Sequence, residues 1–142
     1  MTRPHNEPRQ RFVLPVRVYY EDTDAAGVVY YANYLRFLER ARTEWLRALG
    51  FEQIALAAER SIAFAVRHLS VDYLKPARLD DALDVVSELE SMSRTQVVFH
   101  QRVERGGETL FHGSVRVVCV DPTRMKATAI PDDIRTRLEA LL

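Results

Sequence analysis

The chain has 142 residues, nearly half of them apolar, with 20 Lys and Arg against 20 Asp and Glu and no formal net charge. That length suits one compact domain with a full core and needs no disulfide or metal staple. The charge balance lacks the basic excess of a nucleic-acid binder, the single cysteine rules out an intrachain disulfide, and no apolar run approaches the ~20 residues that cross a bilayer.

Residues Met1 to Arg11 are polar, contain prolines and show no apolar period, so they read as a loose tail with nothing to bury. Residues 12–142 then form the single domain. The tail lacks the apolar core of a secretory signal. The cytosol is the expected compartment, and a peripheral contact with the inner membrane is compatible with it. From Leu14 to Tyr20, Val16, Val18 and Tyr20 point one way and Arg17 and Tyr19 the other, which predicts a strand. It runs into Glu21-Asp22-Thr23-Asp24-Ala25-Ala26-Gly27, a run of turn-forming residues.

The period then changes. Tyr34, Leu38, Ala41, Trp45 and Leu49 recur at steps of three and four, with charged residues between them. This predicts an amphipathic helix from about Tyr31 to Leu49, with Gly50 where a left-handed cap belongs. Phe37 and Leu46 widen its apolar stripe, so it should be wrapped on more than one side. A shorter helix is expected around Glu52 to Glu59.

From Ile62 onward the chain reads as strands. Ile62, Phe64 and Val66 share one phase and Leu69, Val71 and Tyr73 the other, so a β-bulge is expected near Arg67-His68. Three further strands are expected near Asp81–Ser91, Thr95–Glu104 and Glu108–Asp121. Gly106-Gly107 forms a hairpin turn between the last two, and Pro122 ends the final strand. Pro131 opens a short helix bearing Ile134, Leu138 and Leu141. Tight connections favour antiparallel pairing. An antiparallel sheet must cover its apolar face, and the long helix is the obvious cover. Cys119, among valines, reads as a buried, inert thiol.

Chemistry concentrates between Arg17 and Tyr34. Glu21, Asp22 and Asp24 lie between a strand and a helix start, and Ala25, Ala26 and Gly27 let the backbone approach a ligand. The first N–H groups of a helix are unpaired and carry the positive end of its dipole. A base or nucleophile and a set of oxyanion donors are two parts of an acyl-transfer site. Capping and turn formation are the commoner reason for acidic residues in such a place.

The motif extends further. Arg17-Val18, Thr23-Asp24, Gly27-Val28-Val29, Tyr31 and Tyr34 resemble the signature of the 4-hydroxybenzoyl-CoA thioesterase family of the hotdog superfamily. VRVYYEDTDAAGVVYYANY, FLERARTEWLR, KPARLDD and VVCVDP are similar to the Tol-Pal-associated, YbgC-type acyl-CoA thioesterases of bacteria. The likeness covers nearly all of the chain after the tail.

The resemblance implies an α+β hotdog fold, an antiparallel sheet of about five strands wrapped around one long helix. It implies hydrolysis of an acyl-CoA to the free acid and CoA. Asp24 matches the family's catalytic aspartate, and Tyr31 the position whose backbone N–H polarises the thioester carbonyl. Many YbgC-type proteins carry His at Tyr31, so any side-chain role of that His is absent here. Asp24 either attacks the carbonyl or activates water.

Arg94 falls where the family binds the CoA phosphates; Lys75, Arg78, Arg124 and Lys126 are further candidates. Tyr30, Phe64 and Val66 are expected to line the acyl pocket. Glu39 and Glu44 read as partners in surface ion pairs, with a place for Glu39 in a neighbouring subunit's site as the alternative. No cofactor is implied, and His68, His100 and His112 lack the spacing of a metal site.

The family implies a homodimer or homotetramer with sites between subunits, and an association with acyl carrier protein or phospholipid-synthesis enzymes. Two rivals remain. A hotdog dehydratase needs a catalytic histidine early in the long helix, and no histidine lies between His5 and His68. An acyl-carrier or envelope-complex scaffold would bind carriers tightly and turn over no acyl-CoA.

Overall fold

The computed structural model describes residues 10–142. The tail expected over Met1–Arg11 lies outside these, except for Gln10 and Arg11, and Arg11 already opens a strand. That strand, β1 (Arg11–Arg17), starts three residues before the expected Leu14. Val16 and Val18 are buried as the alternation requires, but Tyr20 is 83% exposed. The cause is local. The Asp22 carboxylate accepts the Tyr19 N–H at 2.8 Å and draws the chain into a 3-10 turn over Tyr20–Asp22 before the strand can continue.

The long helix, α1 (Asn33–Ala48), begins two residues later than its periodicity suggested. The Asn33 N–H bonds the Tyr30 carbonyl at 2.8 Å, and Ala32 already has helical dihedrals, so a tight turn over residues 30–33 feeds directly into the helix. At the other end Gly50 takes φ 99°. Its N–H reaches the Arg47 carbonyl and the Phe51 N–H reaches Leu46, the paired bonds of a Schellman motif. A second helix, α2 (Gln53–Arg60), follows.

Four long strands come next: β2 (Ala63–Tyr73), β3 (Ala82–Met92), β4 (Gln96–Arg105) and β5 (Glu108–Asp121). The Gly106-Gly107 turn takes positive φ at both residues, which suits glycine and closes the β4–β5 hairpin. A two-residue strand, β6 (Lys126–Ala127), pairs with the end of β5 and was not anticipated, being too short to show a period. The chain closes with α3 (Asp132–Glu139).

The sheet runs β1-β3-β4-β5-β2, antiparallel throughout, with β6 beside β5. The expected bulge is present between Val66 and His68. It brings the two phases into line: Phe64, Val66, Leu69, Val71 and Tyr73 oppose Cys119, Val117, Val115, Gly113 and Phe111, alternate positions of β5 that share one face. Against this face α1 buries Tyr34, Phe37, Leu38, Ala41, Trp45 and Leu46. Trp45 stacks on Phe12 of β1 and meets Phe99 of β4 edge-on. The result is the hotdog arrangement, a helix enclosed by an antiparallel sheet. No helix among the described residues is long and apolar enough to cross a membrane.

Candidate active site

The three carboxylates before α1 are not equivalent. Asp22 is fully engaged: one oxygen accepts the Tyr19 N–H and the other the Asn33 side-chain amide, each at 2.8 Å. It ties the turn to the start of the helix. Glu21 is exposed. Asp24 is exposed on a tight loop closed by its own backbone, its N–H bonding Val28 and its carbonyl accepting the Gly27 N–H. One carboxylate oxygen accepts the Ala26 N–H at 2.9 Å; the other has no partner among the described residues. Asp24 therefore presents a held carboxylate with an open lone-pair face.

Tyr31 lies one residue before the helix cap, not inside the helix. Among the described residues its N–H has no acceptor, while its carbonyl accepts the Tyr73 hydroxyl at 2.6 Å. The Tyr73 bond anchors the peptide that follows this N–H, and a free N–H held in this way is a preorganised donor. The Tyr73 contact spans 42 positions, so no local signal in the sequence announces it. Tyr31, Val29, Tyr34, Tyr73 and Pro76 border an open cleft of about 260 Å³. Tyr34 is buried, stacks on Phe111 and accepts the Ala77 N–H at 3.0 Å. Burial pushes its hydroxyl above the usual tyrosine range.

A strap between β2 and β3 supports this loop. Ala77 accepts the Val29 N–H at 2.8 Å, Arg78 bridges Val28, and Leu79 reaches Gly27. Arg105, from the β4–β5 hairpin, bonds Asp81 at 2.8 Å and the Pro76 carbonyl at 3.3 Å. Burial alone would raise the Asp81 carboxyl, but the Arg78 N–H and the Arg105 guanidinium outweigh it and hold the group below the usual carboxylate range.

The expected pocket residues are not all gathered on the Asp24 loop. Tyr30 is: its N–H bonds Asp22 and its ring leans on Tyr31 with centroids 4.8 Å apart. Phe64 and Val66 sit near the opposite end of the sheet, across from Cys119 and Val117. They line a separate cavity of about 180 Å³ with Arg42, Leu46, Val97 and Phe99, closed by Leu138 of α3. Arg94 lies at that far end too, exposed in the turn between β3 and β4, its carbonyl taking the Ile130 N–H and the Arg135 guanidinium. Lys126 sits on β6 at the same end, where it opposes Asp121, and Arg124 lies in the turn before it. Lys75 is tied to Glu108 at 2.7 Å instead. Along β2, Phe64 and Val66 lie nine and seven residues from Tyr73, roughly 20–30 Å.

Other side chains also fall into place. Glu44 pairs with Arg47 as a surface ion pair, but Glu39 has no ion-pair partner among the described residues and borders the 180 Å³ cavity. Cys119 is fully buried, and that burial raises its thiol above the ordinary range. His100 and His112 face each other across β4 and β5 with ring centroids 6.1 Å apart. No cluster of metal-ligating side chains occurs among the described residues.

A long helix enclosed by an antiparallel sheet is the hotdog arrangement. The chain belongs to the thioesterase-like superfamily, whose family model matches residues 18–138. Among its relatives, acyl-CoA thioester hydrolase YbgC of Escherichia coli O6:H1 is 56% identical over 124 residues, covering 87% of this chain and 92% of the relative. Acyl-CoA thioesterase YbgC of Haemophilus influenzae is 47% identical over 130 residues, covering 92% and 96%. The crystal structure of a probable thioesterase from Bartonella henselae superposes with a TM-score of 0.83 at 30% identity, covering 86% of this chain and all of that one.

Proposed function

We propose that the protein hydrolyses acyl-CoA thioesters, using Asp24 and the Tyr31 N–H, at a site completed by a second copy of the chain. The observation that carries this reading is the pairing of an open carboxylate with a free backbone N–H where the loop enters α1. The names of the relatives support CoA as the thiol carrier.

The N–H donates to the thioester oxygen as negative charge develops there. Asp24 either adds to the carbonyl carbon, expelling CoA thiolate before water releases the acid, or takes a proton from an attacking water. Both routes give one free acid and one CoA thiol.

The second copy is argued from the sheet edge. β2 has β5 on one side and no strand among the described residues on the other, and it exposes Val66, Leu69 and Tyr73. A long, partly apolar open edge invites pairing. Two identical edges related by a two-fold axis pair antiparallel. That sets the start of one β2 beside the end of the other. The Phe64–Val66 cavity of one copy then faces the Asp24 and Tyr31 cluster of the next, and the Arg94 end follows it. In this reading the cavity holds the acyl group and Arg94 meets the CoA phosphates. The same face accommodates a homodimer or, by a further contact, a homotetramer.

Thiol release from short-chain, long-chain and aromatic acyl-CoAs tests the reading. Turnover of at least one class, with acid and thiol in equal amounts, is expected. Absence of turnover on all of them, together with tight binding of an acyl carrier protein, would replace it with the scaffold reading.

A further inference from the structure

The cavity beside Phe64 contains a residue that an alkyl-binding pocket does not need. The helical period places Glu39, Arg42, Thr43 and Leu46 on one stripe of α1, and all four border the cavity. Arg42 is only 9% exposed. A desolvated guanidinium is costly unless an anion or a full set of acceptors meets it. Among the described residues its one hydrogen bond goes to a neutral atom, the Gln101 side-chain carbonyl, at 2.9 Å. No carboxylate among the described residues lies within ion-pair distance of it.

Gln101 cannot turn to offer more. It is fully buried, and its amide donates to the Leu38 carbonyl at 3.0 Å and the Ser87 hydroxyl at 2.8 Å. Those bonds already fasten α1 to the sheet, so the fastening does not require Arg42. A guanidinium carries five N–H donors. None of the Arg42 nitrogens is both sealed and unpaired, so the unused donors remain accessible, and Arg42 borders the cavity. The remaining walls include the apolar Leu46, Val97 and Phe99. The volume, about 180 Å³, compares with the roughly 150 Å³ that admits a benzene ring.

We propose that Arg42 recognises an oxygen acceptor at the far end of the acyl group, so that the enzyme selects short or ring-sized acyl-CoAs with a terminal carboxylate or hydroxyl over unsubstituted chains of the same length. This rests on the reading of the Phe64–Val66 cavity as the acyl pocket. A carboxylate or hydroxyl oxygen supplies the acceptor the guanidinium lacks. A methyl terminus leaves those donors unsatisfied. Glu39, exposed at the rim on the same stripe, favours the hydroxyl over the carboxylate where the incoming group passes close to it.

The test is kcat/KM on three matched substrates, hexanoyl-CoA, 6-hydroxyhexanoyl-CoA and adipoyl-CoA, with the full-length protein. One or both substituted esters should exceed hexanoyl-CoA by roughly 10- to 100-fold, the size of a hydrogen bond to a charged group. The better of the two identifies the acceptor as neutral or anionic. In Arg42→Met that ratio should collapse towards one, and Arg42→Lys should restore part of it. A wild-type protein that handles hexanoyl-CoA as well as both others overturns the proposal, whether or not the variant folds. So does a ratio that Arg42→Met leaves intact. Val97→Phe, which fills the cavity, separates the premise from the inference. It should depress all three substrates together; if it leaves all three unchanged, the acyl group lies elsewhere and the proposal falls with the pocket.

Discussion

Asp22 and Asp24 stand two residues apart with the same side chain, and their surroundings divide the work between them. Asp22 bonds through both oxygens to Tyr19 and Asn33 and is part of the scaffold; Asp24 keeps one oxygen open. The sequence shows three carboxylates at a turn and cannot divide them, because the division depends on an Asn33 amide eleven positions away. The resemblance singled out Asp24, and the free oxygen supplies a physical reason for that choice. Asp81, in the strap between β2 and β3, is a carboxylate of a different kind. Its folded carboxyl is held low by the Arg78 N–H and Arg105 against the effect of burial. Its stabilising contribution is therefore present above its unfolded pKa of about 3.9 and lost as pH falls through the lower folded value. Thermal unfolding followed from pH 6 down to about pH 2 should show wild type losing more stability than Asp81→Asn across that window. Parallel losses would mean that the strap does not depend on this carboxylate.

Elements with a strong period were legible in the sequence; their ends were less so. The apolar stripe of α1, the bulge after Val66 and the Gly106-Gly107 hairpin follow from spacing alone. The periodicity of α1 points to a start near Tyr31, two residues early, because the 30–33 turn determines where the first helical bond forms. Likewise Tyr20 fits the alternation of β1 but is pulled out by the Asp22 carboxylate. Competing side-chain bonds to the backbone, invisible to periodicity, explain both. At the far end of α1, Gly50 holds φ 99° in the Schellman turn. Gly50→Ala should cost about 1 kcal/mol in chemical denaturation, since alanine is strained at positive φ. No change in midpoint would mean that the turn relaxes without glycine.

At the scale of the molecule the informative fact is a separation. Asp24, Tyr31 and Tyr30 cluster at one end of the sheet, while Phe64, Val66 and Arg94 cluster at the other. The strand order β1-β3-β4-β5-β2 produces this, and no local pattern encodes it, because which strands are neighbours is decided by pairings dozens of residues apart. In the proposed dimer, antiparallel pairing of two open β2 edges reunites the clusters twice over. Leu69→Lys puts a charge on that edge, where like charges from two copies meet. Light scattering should then report a monomer that keeps its circular dichroism and loses turnover. A fully active monomer would contradict the composite site. The account as a whole stands on Asp24, and steady-state hydrolysis of the best acyl-CoA by Asp24→Asn tests it most directly. The expected result is a fall in kcat of about 10²- to 10⁴-fold, the usual contribution of a positioned acid–base group, with thermal stability retained. Wild-type turnover in that variant would contradict it.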